Sequence, residues 1–276
     1  DEIKRIKPDI IVYRTNMQGH TGPYCQLPGT GVSLVGLTGF AHLCGWPDRL
    51  PSNPYGPYTD CIAPRFGAAM LIAALDYRRK TGKGQLLDMS QFEAGVNFLA
   101  PLMLDYFVNH SVAGRVGNYC PYAAPHNAYR CRGQDKWCTI AVFNEDEWQS
   151  FCRVIGNPPW TKDEKFSTLL GRKEHELELD RLVEKWTINH TAEEVMALMQ
   201  EGKVAAGIVE TTQDLFQDPQ LKYRNHFWVI NHKEMGFFPH LGQSAVLSET
   251  PAQPQMPSPC LGEHNEYVCK EILGMP

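Results

Sequence analysis

Tyr58-Thr-Asp-Cys-Ile-Ala-Pro-Arg-Phe-Gly-Ala-Ala-Met-Leu-Ile-Ala-Ala-Leu-Asp-Tyr-Arg-Arg-Lys-Thr-Gly-Lys-Gly-Gln85 runs directly into Leu86-Leu-Asp-Met-Ser90. Phe66, Met70, Ala73, Ala74 and Tyr77 recur at steps of three and four, which predicts a helix over 61–80. Arg78, Arg79 and Lys80 load its end, where cations suit the helix dipole, and Thr81-Gly82 stops it. Leu86–Ser90 then reads as a short strand. A helix, a tight turn and an apolar strand in this order are the step of an α/β fold. One carboxylate, Asp60, stands at the mouth of the helix.

Outward from this stretch the same alternation continues. Residues 1–7 read as the end of a helix that Pro8 stops, and Asp9-Ile-Ile-Val-Tyr13 reads as a buried strand. Glycine-rich loops follow at Gly19-His-Thr-Gly-Pro-Tyr24 and Pro28-Gly-Thr-Gly31, with a packed helix expected around Leu34 and Leu37. Gln91 to Val108 reads as a second apolar helix. A Gly/Pro/Tyr/Asn loop spans 114–127, and a hairpin follows, Ala128–Arg132 with Trp137–Phe143 around Gly133-Gln-Asp135. Helices are expected at 145–155, 177–186 and 192–200, the last capped by Thr191. The tail carries strand-like pieces at 226–230 and 244–247, an extended proline run over 251–259 and a last helix capped by Asn265. The predicted organisation is a large-domain portion (1–110), a linker (111–127), a small α+β domain (128–222) and a return to the large domain (223–276).

Composition bounds the function. The 276 residues are 43% hydrophobic and 21% charged, ordinary for a globular protein, and can bury a large core. A net charge of −5 gives no bulk attraction to nucleic acid or anionic membrane, so neither is expected as a partner. No apolar run reaches the length of a membrane span. The nine cysteines form no Cys-x-x-Cys pair, and with no secretory signal at the start the expectation is reduced thiols in a cytoplasm. The ten histidines show no His-x3-His or His-Glu-x-x-His spacing, so no metal site is expected.

Two features invite chemistry, and each has a plain structural reading. An Asp just before a helix is most often an N-cap. A nucleophilic Asp60 needs more: a helix start to hold the anion, an apolar wall and a nearby glycine loop. Gly82-Lys-Gly-Gln85 lacks the spacing of a P-loop, and a tight helix-to-strand turn is its commoner meaning. As a phosphate site it would offer Arg79, Gly82, Lys83 and Gly84.

Read in order, these segments resemble the class III CoA-transferases of formyl-CoA, crotonobetainyl-CoA and benzylsuccinyl-CoA type. The resemblance is carried by Pro8-Asp-Ile-Ile-Val-Tyr13 with Gly19-His-Thr-Gly-Pro23, by Pro28-Gly29 with Leu37-Thr-Gly39, by Asp60, and by Arg79-Lys-Thr-Gly-Lys-Gly-Gln85. Asp214-Leu-Phe-Gln-Asp-Pro219 and the closing Leu261-Gly-Glu-His-Asn265 extend it over nearly the whole chain. It implies an open nucleotide-binding-type large domain, a smaller α+β domain and interlocked dimers, with acyl-CoA and a carboxylic acid as substrates. No permanent cofactor is implied; coenzyme A enters as a thioester substrate. The family's nucleophile falls on Asp60. Three departures stand out. The family's N-terminal stretch, with its CoA-contacting basic residues, is not matched here, so the chain resembles the C-terminal portion of a transferase unless another chain supplies that piece; a homodimer or a hetero-oligomer is expected. Gly29-Thr30-Gly31 stands where the family's racemases carry Gly-His-Asp, which disfavours the alternative of an α-methylacyl-CoA racemase. Asn118-Tyr-Cys-Pro-Tyr-Ala-Ala-Pro-His126 replaces a mobile glycine loop, which implies a different or bulkier acceptor. A non-catalytic subunit that completes a partner's fold is the remaining alternative.

Overall fold

The helix and strand of the opening stretch are two sides of one crossover. The computed structural model describes residues 2–254 and 256–276; Asp1 of the expected first helix and Gln255 of the proline run lie outside the described residues. Helix α1 (Glu2–Ile6) leads to strand β1 (Val12–Asn16). Helices α2 (Gly31–Leu37), α3 (Phe40–Leu43) and α4 (Tyr58–Thr81) follow, and α4 delivers the chain to β2 (Leu86–Ser90). β1 and β2 are parallel, in register from Val12 opposite Leu86 to Asn16 opposite Ser90. Then come α5 (Gln91–Phe98) and α6 (Ala100–Asn109). Mixed helix and strand content agrees with the α/β expectation.

Small residues set how closely these parts approach. Ala63 and Met70 of α4 pack with Tyr13, Met89 and Ala94. A side chain on Gly67 would run into the Tyr13 ring, so glycine is required where α4 crosses β1. A side chain on Gly84 would collide with the Asp9–Ile10 backbone. A second cluster, Val35, Phe40 and Ile62, joins α2 and α3 to the start of α4.

Strands β3 (His126–Arg130) and β4 (Trp137–Ala141) form an antiparallel sheet completed by β5 (Ala205–Ile208), in the order β3-β4-β5. Helices α7 (Glu145–Val154), α8 (Leu169–Glu174), α9 (Glu176–Thr187) and α10 (Ala192–Glu201) lie between β4 and β5. Trp148, Phe151, Phe166, Leu179, Val195 and Met199 are buried in the largest apolar cluster of the described residues. Arg172 is buried inside it. Its guanidinium donates to the Ala124 and Phe166 carbonyls, forks onto Glu145 at 2.6 and 3.2 Å, and lies 4.6 Å over Trp148. Helices α11 (Thr212–Gln217) and α12 (Pro219–Tyr223) lead to the hairpin of β6 (Phe227–His232) and β7 (Gly236–Leu241).

Several local expectations shift. β1 starts at Val12, not Asp9, because the 9–10 backbone is taken up against Gly84 and the ladder opens with Val12 N–H on the Gln85 carbonyl. The helix expected over 91–108 is two: Pro101 has no N–H to continue the ladder, and α6 restarts after Leu99. The expected strand at 244–247 is absent. The partner of β6 is β7, hidden in sequence by Pro239, which an unpaired edge tolerates. His232 holds that hairpin turn by accepting from the Glu234 and Met235 amides. β5 has no counterpart in the sequence reading. The last helical turn, Tyr267–Ile272, begins after Glu266, so Asn265 is not its cap. Thr191 caps α10 as expected, with a reciprocal bond from its own N–H to Glu194.

Replacing Arg172 with Met leaves two buried carbonyls without their donor and Glu145 without its partner. The expected loss is about 3 kcal/mol, read as a lower urea midpoint with an unchanged slope.

Candidate functional site

Three prolines in Pro51-Ser-Asn-Pro-Tyr-Gly-Pro57 keep the chain extended up to the start of α4. Pro57 takes φ −80°, and the helix begins at Tyr58. Asp60 is therefore in the first helical turn and is not the N-cap, which corrects the capping alternative. Its N–H donates to the Pro57 carbonyl at 2.9 Å. Pro64, inside the same helix, has no N–H for the Asp60 carbonyl.

The Asp60 side chain is exposed, and its carboxylate makes no hydrogen bond or ion pair among the described residues. Its neighbours in sequence do the anchoring: Thr59, Ile62 and Ala63 are buried, and Tyr58 meets Phe40 edge-on at 5.2 Å. Asp60 Oδ2 lies 3.0 Å from where a Cβ on Gly31 would stand, and the same Cβ would strike Pro57. The Gly29-Thr30-Gly31 loop and Asp60 are thus brought together, a proximity no spacing rule reveals across the intervening residues. Gly95 of α5 lets Thr38 and Thr59 close in from the other side, which fixes α2 against the start of α4.

The loop after β1 is ordered by its own side chains. Asn16 accepts from Gly19 N–H at 2.5 Å and donates to its carbonyl at 3.1 Å. Gly19 (φ +86°) and Gly22 (φ +92°) turn the chain. His20 Nδ1 lies 2.6 Å from Asp88 Oδ1, and the His20 hydrogen bond holds the Asp88 carboxyl below its usual range. This pair sits near the C-terminal ends of two parallel strands, where open α/β sheets place their ligands. His20 matches no metal or racemase spacing in the sequence, and its bracketing glycines are the only local signal for it.

Arg79, Gly82, Lys83 and Gly84 lie at the far end of α4. The 24-residue helix places Asp60 and Arg79 on the order of 28 Å apart at about 1.5 Å rise per residue. Gly82 (φ +71°) is the helix stop, its N–H on the Arg78 carbonyl at 2.8 Å. Lys83 N–H is held by the Thr81 hydroxyl at 3.2 Å. Arg79 and Lys83 are exposed. This chain does not bring that turn together with Asp60. Burial pushes the Cys138 thiol up to about 12 and the Cys152 thiol to about 11, which keeps both unreactive.

The family model described as CoA-transferase family III matches residues 1–265. Succinyl-CoA–D-citramalate CoA-transferase of Chloroflexus aurantiacus is 28% identical over 275 residues, covering 100% of this chain and 68% of that protein. A probable CoA-transferase of Mycobacterium tuberculosis is 29% identical over 283 residues, covering 100% of this chain and 35% of that protein. The crystal structure of a CAIB/BAIF family protein from Brucella suis superposes with a TM-score of 0.88 at 28% identity, over 98% of this chain and 70% of that one. The chain thus spans about two thirds of the Chloroflexus relative's length and about a third of the mycobacterial one's.

His20→Ala should return the Asp88 carboxyl upward toward its ordinary value near 3.8. Because the pair lowers that pKa in the folded protein, its stabilisation is present above the unfolded value and is lost as pH falls through the folded one. Carboxyl NMR titration of Asp88 in both proteins reads the shift.

Proposed function

This chain belongs to CoA-transferase family III, and we propose that it carries the nucleophile of an enzyme moving coenzyme A from an acyl-CoA to a free carboxylic acid. The observation that supports this reading best is Asp60: an exposed carboxylate without a partner among the described residues, in the first turn of a long helix, against Gly31. A structural N-cap would have its oxygens bonded to backbone amides; this carboxylate is free to react.

In this reading Asp60 attacks the thioester carbonyl of the donor. The C–S bond breaks, a mixed anhydride forms, and CoA leaves as thiolate. The thiolate then attacks the aspartyl carbonyl, which releases the donor's acyl group as a carboxylate and leaves an aspartyl-CoA thioester. The acceptor carboxylate attacks this thioester, expels the thiolate and forms a second anhydride. Thiolate attack on the acceptor's acyl carbon gives the new acyl-CoA and restores Asp60. Each step exchanges one acyl bond for another, so no oxidant or cofactor is required. Gly31 supports the reaction by letting α2 close on Pro57 and on the Asp60 carboxylate, and its backbone N–H is a donor for the developing oxyanion. The Chloroflexus relative is named for succinyl-CoA and D-citramalate; that favours dicarboxylic acyl groups here.

We further propose that the chain divides at the 111–127 linker into a large-domain portion (1–110 with 223–276) and a small domain (128–222). The separate apolar clusters support it. It works as part of an interlocked homodimer or hetero-oligomer, which is supported by α6, apolar at all but Asp105 and Asn109 yet without one buried residue. Nine free cysteines suit the cytoplasm. Arg79 and Lys83 meet CoA phosphates only across such an assembly, and Gly82 and Gly84 serve the turn.

Asp60→Asn in the native assembly should lower exchange at least about 10³-fold with unchanged circular dichroism, a loss in the range seen when a covalent nucleophile is removed. Hydroxylamine added during turnover of the wild type should leave a hydroxamate at residue 60 by mass spectrometry. Full activity of Asp60→Asn sinks the assignment. Gly31→Ala should lower kcat about 10²-fold by displacing the carboxylate, with smaller effect on KM.

A further inference from the structure

A cavity of about 290 Å³ lies between α4 and the β1-β2 sheet. Its α4 wall is made by Ala63, Pro64, Gly67, Ala68 and Leu71, the steps of three and four that mark a single helix face. Asp60 is the next member of this series toward the helix start, three residues before Ala63 and four before Pro64. Asp60 and the cavity therefore share one face of α4. The wall begins one turn, about 5.4 Å, from Asp60 and continues from Pro64 to Leu71 for about 10 Å. Pro64 and Ala68 are exposed, so the cavity opens to the outside, unlike a packing void.

The cavity changes character along its length. The opposite wall includes Tyr13, Thr15 and Met89 of the strands. Ala63 packs near Met89, and Gly67, one turn on, meets the Tyr13 ring, so the C-terminal ends of the strands lie at the Asp60 end. Thr15 and Gln91, the residue after β2, supply a hydroxyl and an amide toward that end. Tyr13, Gly67 and Leu71 make the far end apolar, and the Tyr13 hydroxyl is turned to Met89 Sδ at 3.4 Å. Among the described residues no charged side chain lines the cavity.

We propose that this cavity receives the acyl group of one of the two acids exchanged, and that this acid has an uncharged chain longer than that of acetate. The inference deepens the transfer reaction proposed above and rests on Asp60 as its nucleophile. An acyl group presented to Asp60 as a thioester has its carbonyl at the top of the shared face and its chain along it. Thr15 and Gln91 meet the polar end, and the apolar end takes the methylenes out of water. A second carboxylate in the same place would lose its hydration with no cation to compensate. The dicarboxylic acyl group favoured above is then the other partner of the exchange, held outside this cavity.

Titration calorimetry on the native assembly carrying Asp60→Asn tests this with acetyl-CoA, hexanoyl-CoA and glutaryl-CoA. Hexanoyl-CoA should bind at least about tenfold more tightly than either of the others, since its extra methylenes are buried and carry no charge. Ala68→Phe, added to Asp60→Asn, places a ring in the cavity from an exposed position and should reduce hexanoyl-CoA to the affinity of acetyl-CoA. Leu71→Ala deepens the far end and should move the preference to octanoyl-CoA; it serves as the readout if the Phe variant does not fold. Equal affinities for the three thioesters, a hexanoyl preference that survives Ala68→Phe, or no shift toward octanoyl-CoA in Leu71→Ala overturns the proposal. An equal loss for acetyl-CoA in Ala68→Phe assigns the cavity to the coenzyme's own arm and overturns it as well. Thioester binding needs no nucleophile. Full transfer activity of Asp60→Asn defeats the nucleophile and leaves the affinities standing, whereas an inactive Asp60→Asn with equal affinities defeats the cavity alone.

Discussion

Helix α4 can lie across β1 only where it has no side chain. At Gly67 the Tyr13 ring occupies the space that any other residue would claim, and the Tyr13 hydroxyl reaches Met89 Sδ at 3.4 Å. That crossing fixes the helix in both translation and rotation. Its upper end is then delivered to α2, where Gly31 admits the Asp60 carboxylate, and its lower end to the Gly82–Gly84 turn, where Gly84 admits the 9–10 backbone. Three glycines, each a position of close approach, convert one crossing into the placement of the Asp60 carboxylate. A residue larger by a methyl at any of them moves the helix or the partner, since packed interiors leave little slack.

The β3-β4-β5 sheet and the helices packed on it are held together on a different principle. Its aromatic cluster is built around a buried charge, and Arg172 satisfies that charge on carbonyls from two loops as well as on Glu145. The carbonyls belong to Ala124, just before β3, and to Phe166, just before α8. One side chain thus closes the end of the 111–127 segment onto the helical layer. A hydrophobic residue there would fill the volume and leave both loops unpinned. The arrangement trades some desolvation cost for a definite loop geometry, and it is next to this geometry that the Asn118–His126 stretch is presented.

The parts most legible in the sequence were those with a local cause. The α4 period, its basic end and Gly82 all report on neighbours within a few residues, and so does Thr191 with Glu194. The resemblance brought the order of motifs and the choice of Asp60. What was not legible depends on contacts across the chain. The approach of Gly31 to Asp60, the His20–Asp88 pair and the Arg115 bond to the His42 carbonyl join residues tens of positions apart. β7 was concealed by Pro239, a residue that argues against a strand until the strand is known to be an edge. The placement of Asp60 inside the helix turned on where three prolines release the chain, a boundary that propensity alone leaves open by a residue or two.

An exposed carboxylate and an apolar helix without a buried face are two signs of one condition. α6 shows Leu104 at 63% and Phe107 at 79% exposure, and β7 shows Phe237 at 78%. Scattered apolar residues on a surface are ordinary, but a helix apolar at all but two positions with none of them buried is built to be enclosed. Enclosure would do to the Asp60 region what it does to these helices, which is to remove water. A carboxylate is a weak nucleophile toward a thioester while fully hydrated, and an anhydride survives only where water is excluded. The fold holds the Asp60 carboxylate against Gly31, and in the reaction proposed for it the dry walls would come from the partner that covers this apolar surface.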